Sequence, residues 1–376
     1  MGEQPPIPDV SRGTKNCQHI TYAFGELAYG GRPQRKSGVT VWRSMKVLVT
    51  GGAGYVGSHT VRELLAARHE VIVYDDLSIG RREFARGVPL IVADIGDRAP
   101  LLKALGGVDA VIHFAGSAYV GESIENPRKY FRNNVECAIK LADTVLDSDV
   151  RFFIFSSSCA TYGVPQHLPV EESSPKNPIN PYGATKLFIE QVLSAYRYSY
   201  GLQHVCLRYF NAAGAHPSGE IGEYHDPETH LIPLALKAIL GTAPALRIFG
   251  SGLPTADGTC VRDFVHVSDL ARAHVKALEY LVSGGESIAL NLGTGRGTSI
   301  SCLLATIQKV TGREVPHEFA PSRRGDPPVL YADASLACKV LGWSPEFDLE
   351  GILRTAWRWE TQGLPRLLLA AAQQQV

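Results

Sequence analysis

The chain has 376 residues, of which 45% are hydrophobic and 20% are charged, and its 37 basic side chains balance 37 acidic ones. This composition is typical of a soluble globular protein of about two domains, and it excludes a disordered or fibrous chain. Proteins that bind nucleic acid usually carry a basic excess, which this chain lacks, so no nucleic-acid partner is expected.

The apolar runs and the spacing of cysteine and histidine exclude further features. The longest apolar runs have the length of a strand, far short of the roughly 20 residues of a membrane helix, so no membrane partner is expected. The seven cysteines form no C-x-x-C pair, and the 12 histidines show neither H-x-x-x-H nor H-E-x-x-H spacing. A disulfide framework and a metal site are therefore not expected, and a cytoplasmic location is favoured.

The first segment, residues 1–44, differs from the rest of the chain. It contains scattered Gly and Pro, a short basic stretch and no apolar segment, so a secretory signal is not expected. We interpret it as a disordered leader or a mis-assigned start, with Met45 beginning the first domain. An organelle transit peptide is the alternative, and the acidic residues of the segment disfavour it.

From Met45 onward, short apolar runs alternate with helix-favouring stretches. Apolar runs without polar alternation are typical of parallel strands covered on both faces, and their alternation with helices predicts an α/β, doubly wound parallel sheet of the Rossmann type. The predicted strands are Lys46–Thr50, Glu70–Tyr74, Leu90–Ala93, Ala110–Phe114, Phe152–Phe155 and Val205–Tyr209, and the predicted helices are His59–Ala67, Pro100–Leu105, Asn134–Leu146 and Ala184–Tyr198.

The composition changes at about residue 212, where Gly, Pro and His become frequent and strands become sparse. Helices are predicted at Leu231–Leu240, Asp269–Leu281 and Ile300–Val310. We therefore expect two domains, residues 45–211 and a smaller α/β domain of residues 212–370, which interleave because no linker separates them.

The first predicted strand leads directly into a glycine turn with the spacing Gly51-x-x-Gly54-x-x-Gly57. Such a triplet between a strand and a helix allows a tight turn, a close approach of backbone to a pyrophosphate, and close helix packing. The helix N-terminus that follows faces the phosphates with its positive end. The turn, including Tyr55 and Val56, is therefore predicted to bind a dinucleotide.

Two acids, Asp75 and Asp76, end the second predicted strand. An acid at this place accepts hydrogen bonds from the ribose hydroxyls of the adenosine and repels a 2′-phosphate, which favours NAD over NADP. Arg81 and Arg82 are the counterargument, since either has the length to reach such a phosphate.

The ends of the next two strands also belong to the predicted cofactor site, because ligands bind at the carboxyl ends of parallel strands. Asp94 and Ile95 end the third strand and are predicted to hold the adenine. Phe114, Ala115 and Gly116 end the fourth, where small residues let the backbone approach the cofactor.

A Tyr-x-x-x-Lys pair, Tyr182 and Lys186, is the most informative catalytic candidate. The two side chains share one face of a helix, and a neighbouring ammonium, together with the positive nicotinamide ring, is expected to lower the pKa of the phenol. Tyr182 is then a base for a substrate hydroxyl, and Lys186 is also predicted to hold the nicotinamide ribose. Ser158, at the end of the fifth strand, is predicted to hydrogen-bond the same hydroxyl.

These motifs together resemble the extended short-chain dehydrogenase/reductase family, and within it the enzymes that epimerise UDP-sugars. The resemblance covers about residues 45–363. Its motifs are residues 50–57, 113–116 (HFAG), 120–123 (VGES), 133–134 (NN), 155–158 (FSSS), 182–186 (YGATK), 208–211 (RYFN), 214–218 (GAHPS), 231–233 (LIP), 249–250 (FG), 257–259 (DGT), 261–263 (VRD) and 325–326 (GD).

The resemblance implies an NAD-dependent isomerase that interconverts UDP-glucose and UDP-galactose. The sugar is oxidised transiently at C4, turns over as a 4-keto intermediate and takes the hydride back on its other face. The resemblance also implies that Asn134 and Tyr209 contact NAD, that residues 212–370 bind the UDP-sugar, and that the protein is a homodimer.

The resemblance further implies a set of substrate-binding residues beyond Ser158 and Tyr182. Arginines can neutralise a diphosphate, and an aromatic ring can pack against uracil. The local alternative for Arg262 is a pair with Asp263. The implied substrate residues are Asn211, Leu231, Phe249, Arg262, Arg323, Asp326 and Leu330.

Two positions matter for the comparison with this family. Ala118 stands where many epimerases have Lys, which leaves one cofactor contact open. Leu330 occupies the gate position beside the sugar, where a small residue is associated with room for an N-acetyl group. We therefore expect UDP-glucose and UDP-galactose to be preferred over N-acetylated sugars.

Three alternatives remain open at this point. The first is epimerisation of another UDP-sugar, such as UDP-glucuronate or UDP-xylose. The second is a 4,6-dehydratase, which is disfavoured because such enzymes place an Asp-Glu pair after the catalytic Ser or Thr, whereas Ser158 is followed by Cys159 and Ala160. The third is a nucleotide-sensing binding protein that has lost catalysis, which the intact Tyr182 and Lys186 disfavour.

Overall fold

The computed structural model describes residues 44–321 and 327–373, with the backbone alone for 371–373. The predicted leader, residues 1–44, lies outside this part of the chain apart from Ser44. Arg323 and Asp326, two of the predicted substrate residues, also lie outside the described residues.

All six predicted strands are present, with small differences at their ends, and further strands occur in addition. In chain order they are β1 (Lys46–Thr50), β2 (Glu70–Asp75), β3 (Leu90–Val92), β4 (Ala110–His113), β5 (Phe152–Ser158), β6 (Gln203–Tyr209), β7 (Asn211–Ala213), β8 (Leu246–Phe249), β9 (Val261–Arg262), β10 (Phe264–His266), β11 (Ile288–Leu292), β12 (Thr298–Ser299), β13 (His317–Ala320) and β14 (Val329–Leu330).

The α-helices are α1 (Tyr55–Ala66), α2 (Arg98–Ala104), α3 (Val120–Glu125), α4 (Pro127–Tyr130), α5 (Cys137–Leu146), α6 (Pro181–Tyr200), α7 (Leu231–Leu240), α8 (Val267–Val282), α9 (Ile300–Thr311), α10 (Ser335–Leu341), α11 (Leu349–Arg358) and α12 (Leu364–Gln373). Short 3₁₀ segments lie at Arg82–Ala85 and Cys159–Thr161, and π segments at Phe131–Glu136 and Trp359–Gly363.

Seven strands form one sheet in the order β11-β6-β5-β4-β1-β2-β3, and every neighbouring pair is parallel. Thr50, the last residue of β1, pairs with Tyr74 of β2 on one side and with His113 of β4 on the other. The chain runs outward from β1 in one direction and returns to begin the other at β4. Ligands bind at such a switch point, and the predicted doubly wound α/β fold is confirmed.

The sheet is buried on both faces, which is why its strands read as unbroken apolar runs. Val47 and Val49 of β1 belong to one apolar cluster, which includes Leu64 of α1. Leu48, on the opposite face of the same strand, belongs to a second cluster with Leu141 of α5. Fully burying each of these side chains contributes about 1.5–3 kcal/mol, so the two clusters hold the helix layers onto the sheet.

The part of the chain beyond residue 211 contributes to this sheet as well. Its strand β11 is the seventh strand, and its helix α8 packs against α1. The remaining strands form three small sheets, β10-β7, β12-β9-β14 and β13-β8. A separate apolar cluster that includes Ile232, Ile248 and Leu303 supports them.

Two elements differ from the prediction for identifiable reasons. Helix α1 begins at Tyr55 rather than at His59, because the last part of the glycine turn is already helical. Strand β11 is not predicted, because the polar Asn291 interrupts its apolar run. The structure buries this amide completely: its Oδ1 accepts from the Tyr162 hydroxyl at 2.7 Å and its Nδ2 donates to the Val170 carbonyl at 2.9 Å.

A buried ion pair joins α6 to the neighbouring strands. Arg208 of β6 donates from Nη2 to Oε2 of Glu190 in α6 at 2.5 Å and from Nε to Oε1 at 2.9 Å. The Ser157 hydroxyl of β5 donates to the same carboxylate at 2.5 Å. Both charged side chains are less than one-tenth exposed, so each charge depends on the other for its stabilisation.

The buried pair predicts a large effect of Glu190→Ala on stability. Alanine leaves the Arg208 guanidinium buried without its counter-charge, which costs about 3–5 kcal/mol in the free energy of unfolding. Urea denaturation measures this loss. Asp147→Ala is the matched control, because it breaks a 2.6 Å pair with Arg98 in which both side chains are more than half exposed. Equal losses in the two variants would contradict the stabilising role of the buried pair.

Candidate active site

A cavity of about 690 Å³ opens at the carboxyl ends of the parallel strands. Most of the residues that the sequence predicts for the cofactor and the catalytic groups line it, together with part of the predicted substrate set. These residues are Gly51, Gly54, Tyr55, Val56, Gly57, Asp75, Asp76, Asp94, Ile95, Phe114, Ala115, Gly116, Ser158, Tyr182, Tyr209, Asn211, Arg262 and Leu330.

The glycine turn is packed so closely that side chains are excluded. Gly51 has a φ of 70°, and a Cβ on it would lie 2.5 Å from the backbone nitrogen of Ala115. A Cβ on Gly57 would lie 2.2 Å from the carbonyl oxygen of Gly51. The turn therefore presents bare backbone and the N-terminus of α1 to the cavity, as the binding of a pyrophosphate requires.

The Asp75 carboxylate is buried beside the turn and holds its backbone. Its Oδ2 accepts from the amide nitrogen of Ala53 and its Oδ1 from that of Leu77, both at 2.9 Å. Burial raises the pKa of Asp75, and these two backbone hydrogen bonds oppose the rise. Asp76 is exposed and accepts from the amide and hydroxyl of Ser78. The two acids predicted to bind the adenosine ribose thus line the cavity, one buried and one exposed, which fits a dinucleotide.

Asn134 is not a lining residue of the cavity and has a positioning contact instead. Its Oδ1 accepts from the amide nitrogen of Ser117 at 2.8 Å, and its Nδ2 donates to the Ser117 carbonyl at 2.9 Å. This double contact holds the segment after β4 that includes Ala115 and Gly116. Gly116 has a φ of 153°, and a Cβ on it would lie 3.1 Å from Oδ1 of Asn134.

Helix α6 begins where it does because Asn180 caps it. The Asn180 side chain accepts from the amide nitrogen of Gly183 at 2.8 Å, and Pro181 occupies the first helical position. Tyr182 therefore lies in the first turn, with Lys186 one turn later. Both side chains are less than one-tenth exposed.

The Lys186 ammonium has a backbone partner rather than the phenol. Its Nζ donates to the carbonyl oxygen of Ser156 at 2.8 Å and lies 5.8 Å from the centroid of the Tyr182 ring. Burial lowers the pKa of Lys186 to about 8. Burial likewise raises the pKa of Tyr182 far above its usual value, and the neighbouring Ser158 hydroxyl opposes this rise.

The lowered pKa that the sequence predicts for Tyr182 depends on a positive nicotinamide ring as well as on the Lys186 ammonium, so it stays a prediction for the protein with its cofactor. In the protein alone, burial of the phenol outweighs an ammonium at this distance, because a buried anion loses its hydration.

The three serines of β5 have different partners, and Ser158 is the one that lines the cavity. Ser157 donates to Glu190, and the Ser156 hydroxyl lies 2.5 Å from the hydroxyl of Tyr209. The Ser158 Oγ accepts from the amide nitrogen of Ala160 at 3.2 Å, and the Ser158 hydroxyl also neighbours the Tyr182 phenol.

The predicted substrate residues fall into two groups. Asn211, Arg262 and Leu330 line the cavity, whereas Leu231 and Phe249 are not among its lining residues.

The local alternative for Arg262 is a pair with Asp263. The carboxylate of Asp263 accepts instead from the amide nitrogens of Thr294, Gly295 and Ala332.

Three further lining residues, Glu223, His225 and His230, are not predicted from the sequence. They lie in the segment between β7 and α7. The signal that points to them is the spacing Glu-x-His-x-x-Glu-x-His over residues 223–230. This spacing differs from the metal-binding patterns considered above.

A model of the NAD dependent epimerase/dehydratase family matches residues 47–293. The chain therefore belongs to the NAD dependent epimerase/dehydratase family.

Individual relatives agree with this assignment. The chain is 48% identical over 318 residues to a UDP-glucose 4-epimerase of Rhizobium leguminosarum bv. trifolii, and the match covers 84% of this chain and 97% of the relative. A UDP-glucose 4-epimerase of Brucella ovis, solved in complex with NAD, has a TM-score of 0.82 at 50% identity, with coverage of 85% and 99%. A UDP-glucose-4-epimerase of Stenotrophomonas maltophila, with bound NAD and formylated UDP-arabinopyranose, has a TM-score of 0.83 at 40% identity, with coverage of 86% and 99%.

The close packing of the glycine turn predicts a double effect of Gly57→Ala. The new methyl group meets the Gly51 carbonyl, which belongs to the backbone and moves only with the turn, so we expect a loss of about 1–3 kcal/mol in stability and a lower content of bound NAD. Thermal unfolding and the NAD content of the purified protein measure the two effects. Gly121→Ala in α3 is the control, because a Cβ there meets no atom within 4 Å. A Gly57→Ala protein with normal NAD content would contradict this account of the turn.

Proposed function

We propose that the protein interconverts UDP-glucose and UDP-galactose by transient oxidation at C4 of the sugar, with NAD as its cofactor. One observation carries the proposal. The buried phenol of Tyr182 lines the same cavity as the glycine turn and as Asn211 and Arg262. One cavity thus combines a base with a dinucleotide cradle and with residues implied to hold UDP. The NAD-bound and UDP-sugar-bound relatives support this assignment.

The glycine turn and Asp75 would hold NAD, which would supply a hydride acceptor for C4 of the sugar and a hydride donor for its opposite face, so that this carbon is inverted. Tyr182 removes the proton of the 4-hydroxyl and gives it back, so the sugar loses and regains one hydride and one proton per turnover. Ser158 hydrogen-bonds the same oxygen, whether it is a hydroxyl or a carbonyl. Because burial raises the pKa of Tyr182, the phenolate depends on the positive charge of Lys186 and of the oxidised cofactor.

The UDP moiety supplies the binding energy while the sugar turns over. Arg262 contributes charge for the diphosphate, and Asn211 contributes a hydrogen-bonding side chain. Leu231, Phe249, Arg323 and Asp326 complete the proposed UDP site. Holding the nucleotide rather than the sugar stabilises the 4-keto intermediate without fixing which face it presents.

Three properties of the whole protein are part of this proposal. The chain is divided into a cofactor part, residues 45–211, and an interleaved UDP-sugar part, residues 212–370.

The protein is a homodimer. The exposed apolar side chains of Ile124 in α3 and Phe188 in α6 support this state, since these two helices contact each other. It is cytoplasmic, which the free thiols of the described cysteines support. Within the described part of the chain, no helix has the length and apolar character needed to cross a membrane.

The alternatives are separable by experiment. Burial raises the pKa of Cys159 to about 12, so its thiol is a poor proton carrier where a dehydratase places an acid. A panel of UDP-sugars, including UDP-glucuronate and UDP-xylose, followed by NMR at C4 identifies the epimerised sugar. Binding of a UDP-sugar without interconversion of its C4 epimers would favour the alternative of a nucleotide-sensing binding protein.

The proposed role of Tyr182 predicts a large loss of activity in Tyr182→Phe. Removing the base should lower kcat for UDP-galactose conversion by at least about 100-fold, because general base catalysis contributes 10²–10⁴-fold. Tyr198→Phe is the matched control on the same helix, since Tyr198 is 89% exposed. Near-normal turnover by Tyr182→Phe would refute the mechanism.

The size of the Leu330 side chain is predicted to decide whether the protein accepts N-acetylated UDP-sugars. Leu330 is buried and lines the cavity, so the wild-type protein should turn over UDP-N-acetylglucosamine much more slowly than UDP-glucose. Leu330→Ala removes bulk and should raise the ratio of kcat/KM for the N-acetylated sugar relative to UDP-glucose. Comparable turnover of the two sugars by the wild-type protein would contradict the proposed gate.

A further inference from the structure

Four potential metal ligands converge in the segment between β7 and α7, outside the catalytic residues. They are Glu223, His225, Glu228 and His230, and one ligand atom from each lies within 4.8 Å of all the others. The Nδ1 of His230 is 3.0 Å from Oε1 of Glu223 and 2.9 Å from Oε1 of Glu228. The Nδ1 of His225 is 3.5 Å from Oε1 of Glu223 and 3.6 Å from Oε2 of Glu228. We call these four residues the His-Glu cluster.

Two polar atoms of the His-Glu cluster, Nδ1 of His225 and Oε2 of Glu228, are buried and have no hydrogen-bond partner among the residues that the structure describes. The Glu228 side chain is only 5% exposed. Its other oxygen, Oε1, accepts from the amide nitrogens of Thr229 and His230. A buried polar atom without a partner costs about 1–3 kcal/mol, so a carboxylate oxygen aimed at an imidazole nitrogen without bonding it indicates a missing partner between them.

The spacing of the ligand atoms fits one cation. Zinc binds imidazole nitrogen and carboxylate oxygen at about 2.0–2.2 Å in a tetrahedron, which places neighbouring ligand atoms about 3.3–3.5 Å apart. Three contacts between the proposed ligand atoms span 3.0–3.6 Å, namely the two contacts of His225 Nδ1 and the contact of His230 Nδ1 with Oε1 of Glu223. One ligand atom from each of the four residues lies within 4.8 Å of the others. Two imidazoles with two carboxylates and no thiolate suit Zn²⁺ and exclude the soft cations that need sulfur.

We propose that Glu223, His225, Glu228 and His230 form a binding site for one divalent zinc ion. Zinc would bond the unpaired Nδ1 of His225 and Oε2 of Glu228 and would compensate the charge of two buried carboxylates. Binding also displaces the proton from Nδ1 of His230 to solvent, because a ligating imidazole must be neutral on that nitrogen. The His230 side chain is 40% exposed, which gives the ion a path from solvent.

The geometry of the His-Glu cluster also identifies the cation that competes with a metal. A protonated His230 contacts both carboxylates from Nδ1, at 3.0 Å to Glu223 and 2.9 Å to Glu228. It leaves Nδ1 of His225 and Oε2 of Glu228 without a hydrogen-bond partner among the described residues.

The position of the His-Glu cluster indicates a structural role for the ion. The His225 ring packs edge-on against Tyr55 of the glycine turn, at 6.3 Å between centroids, and against Tyr119, at 5.7 Å. Glu223, His225 and His230 line the cavity. The ion would therefore fix the segment between β7 and α7 against the start of α1 and stabilise the wall of the cofactor site.

Zinc retention by the full-length protein tests the proposal without reference to catalysis. The chain is treated with a chelator, its thiols are alkylated because Cys302 and Cys338 are exposed, and Zn²⁺ is added before desalting. We expect elemental analysis to find about one Zn²⁺ per chain and the melting temperature to rise with added Zn²⁺. Failure of the wild-type protein to retain zinc would overturn the proposal and identify the cluster as a metal-free hydrogen-bond network.

Two variants locate the ion. Glu228→Gln keeps an amide oxygen for the backbone donors but removes the ligating charge, and His225→Ala removes an imidazole. Each should weaken zinc binding, measured by competition with a chromophoric chelator, by at least about 10-fold, the loss expected even for an outer-shell partner. His216→Ala is the control, because His216 lies in the same connection but pairs with Ser218. Unchanged zinc affinity in both ligand variants, with each folded by circular dichroism, would place the ion elsewhere and refute the site.

Discussion

The parallel pairing of β1 with β2 and β4 is the constraint on which the rest of the structure depends. It aligns Thr50 with Tyr74 and His113, so the ends of these strands meet at one edge of the sheet. The glycine turn follows β1 there, and the absence of side chains on Gly51 lets the turn lie against Ala115 after β4. A shift in register would separate the turn from the segment that completes the cofactor cradle.

Burial shifts the pKa values of Tyr182 and Lys186 in opposite directions, because the charged form is an anion in Tyr182 and a cation in Lys186. It raises the pKa of Tyr182 and lowers that of Lys186, so both groups are pushed towards their neutral forms. The phenolate of Tyr182 is therefore unfavourable in the protein alone. A bound cofactor with a positive charge in its oxidised state would lower the pKa of Tyr182, so the phenolate would form only when the cofactor is present. This dependence suits an enzyme that needs its cofactor for every turnover.

The wall of the cavity is built from both parts of the chain. Residues before 212 supply the glycine turn and the catalytic helix, whereas residues beyond 211 supply Arg262, Leu330 and the His-Glu cluster. Strand β11 and helix α8 tie the later part into the main sheet and its helix layer. Because residues before and beyond 211 share one sheet, the position of Arg262 and Leu330 relative to the glycine turn does not depend on a flexible linker.

Local patterns in the sequence determined six of the seven strands of the main sheet, the glycine turn and the spacing of Tyr182 and Lys186, because each depends on residues close together in the chain. The tertiary structure alone decided which polar groups are buried and what they contact. It buried Asn291 in a strand that reads as interrupted, turned Asn134 towards Ser117, and brought Glu223 and Glu228 against two histidines beside Tyr55. Burial and long-range contacts set these partners and the direction of each pKa shift, and neither is encoded in the spacing of neighbouring residues.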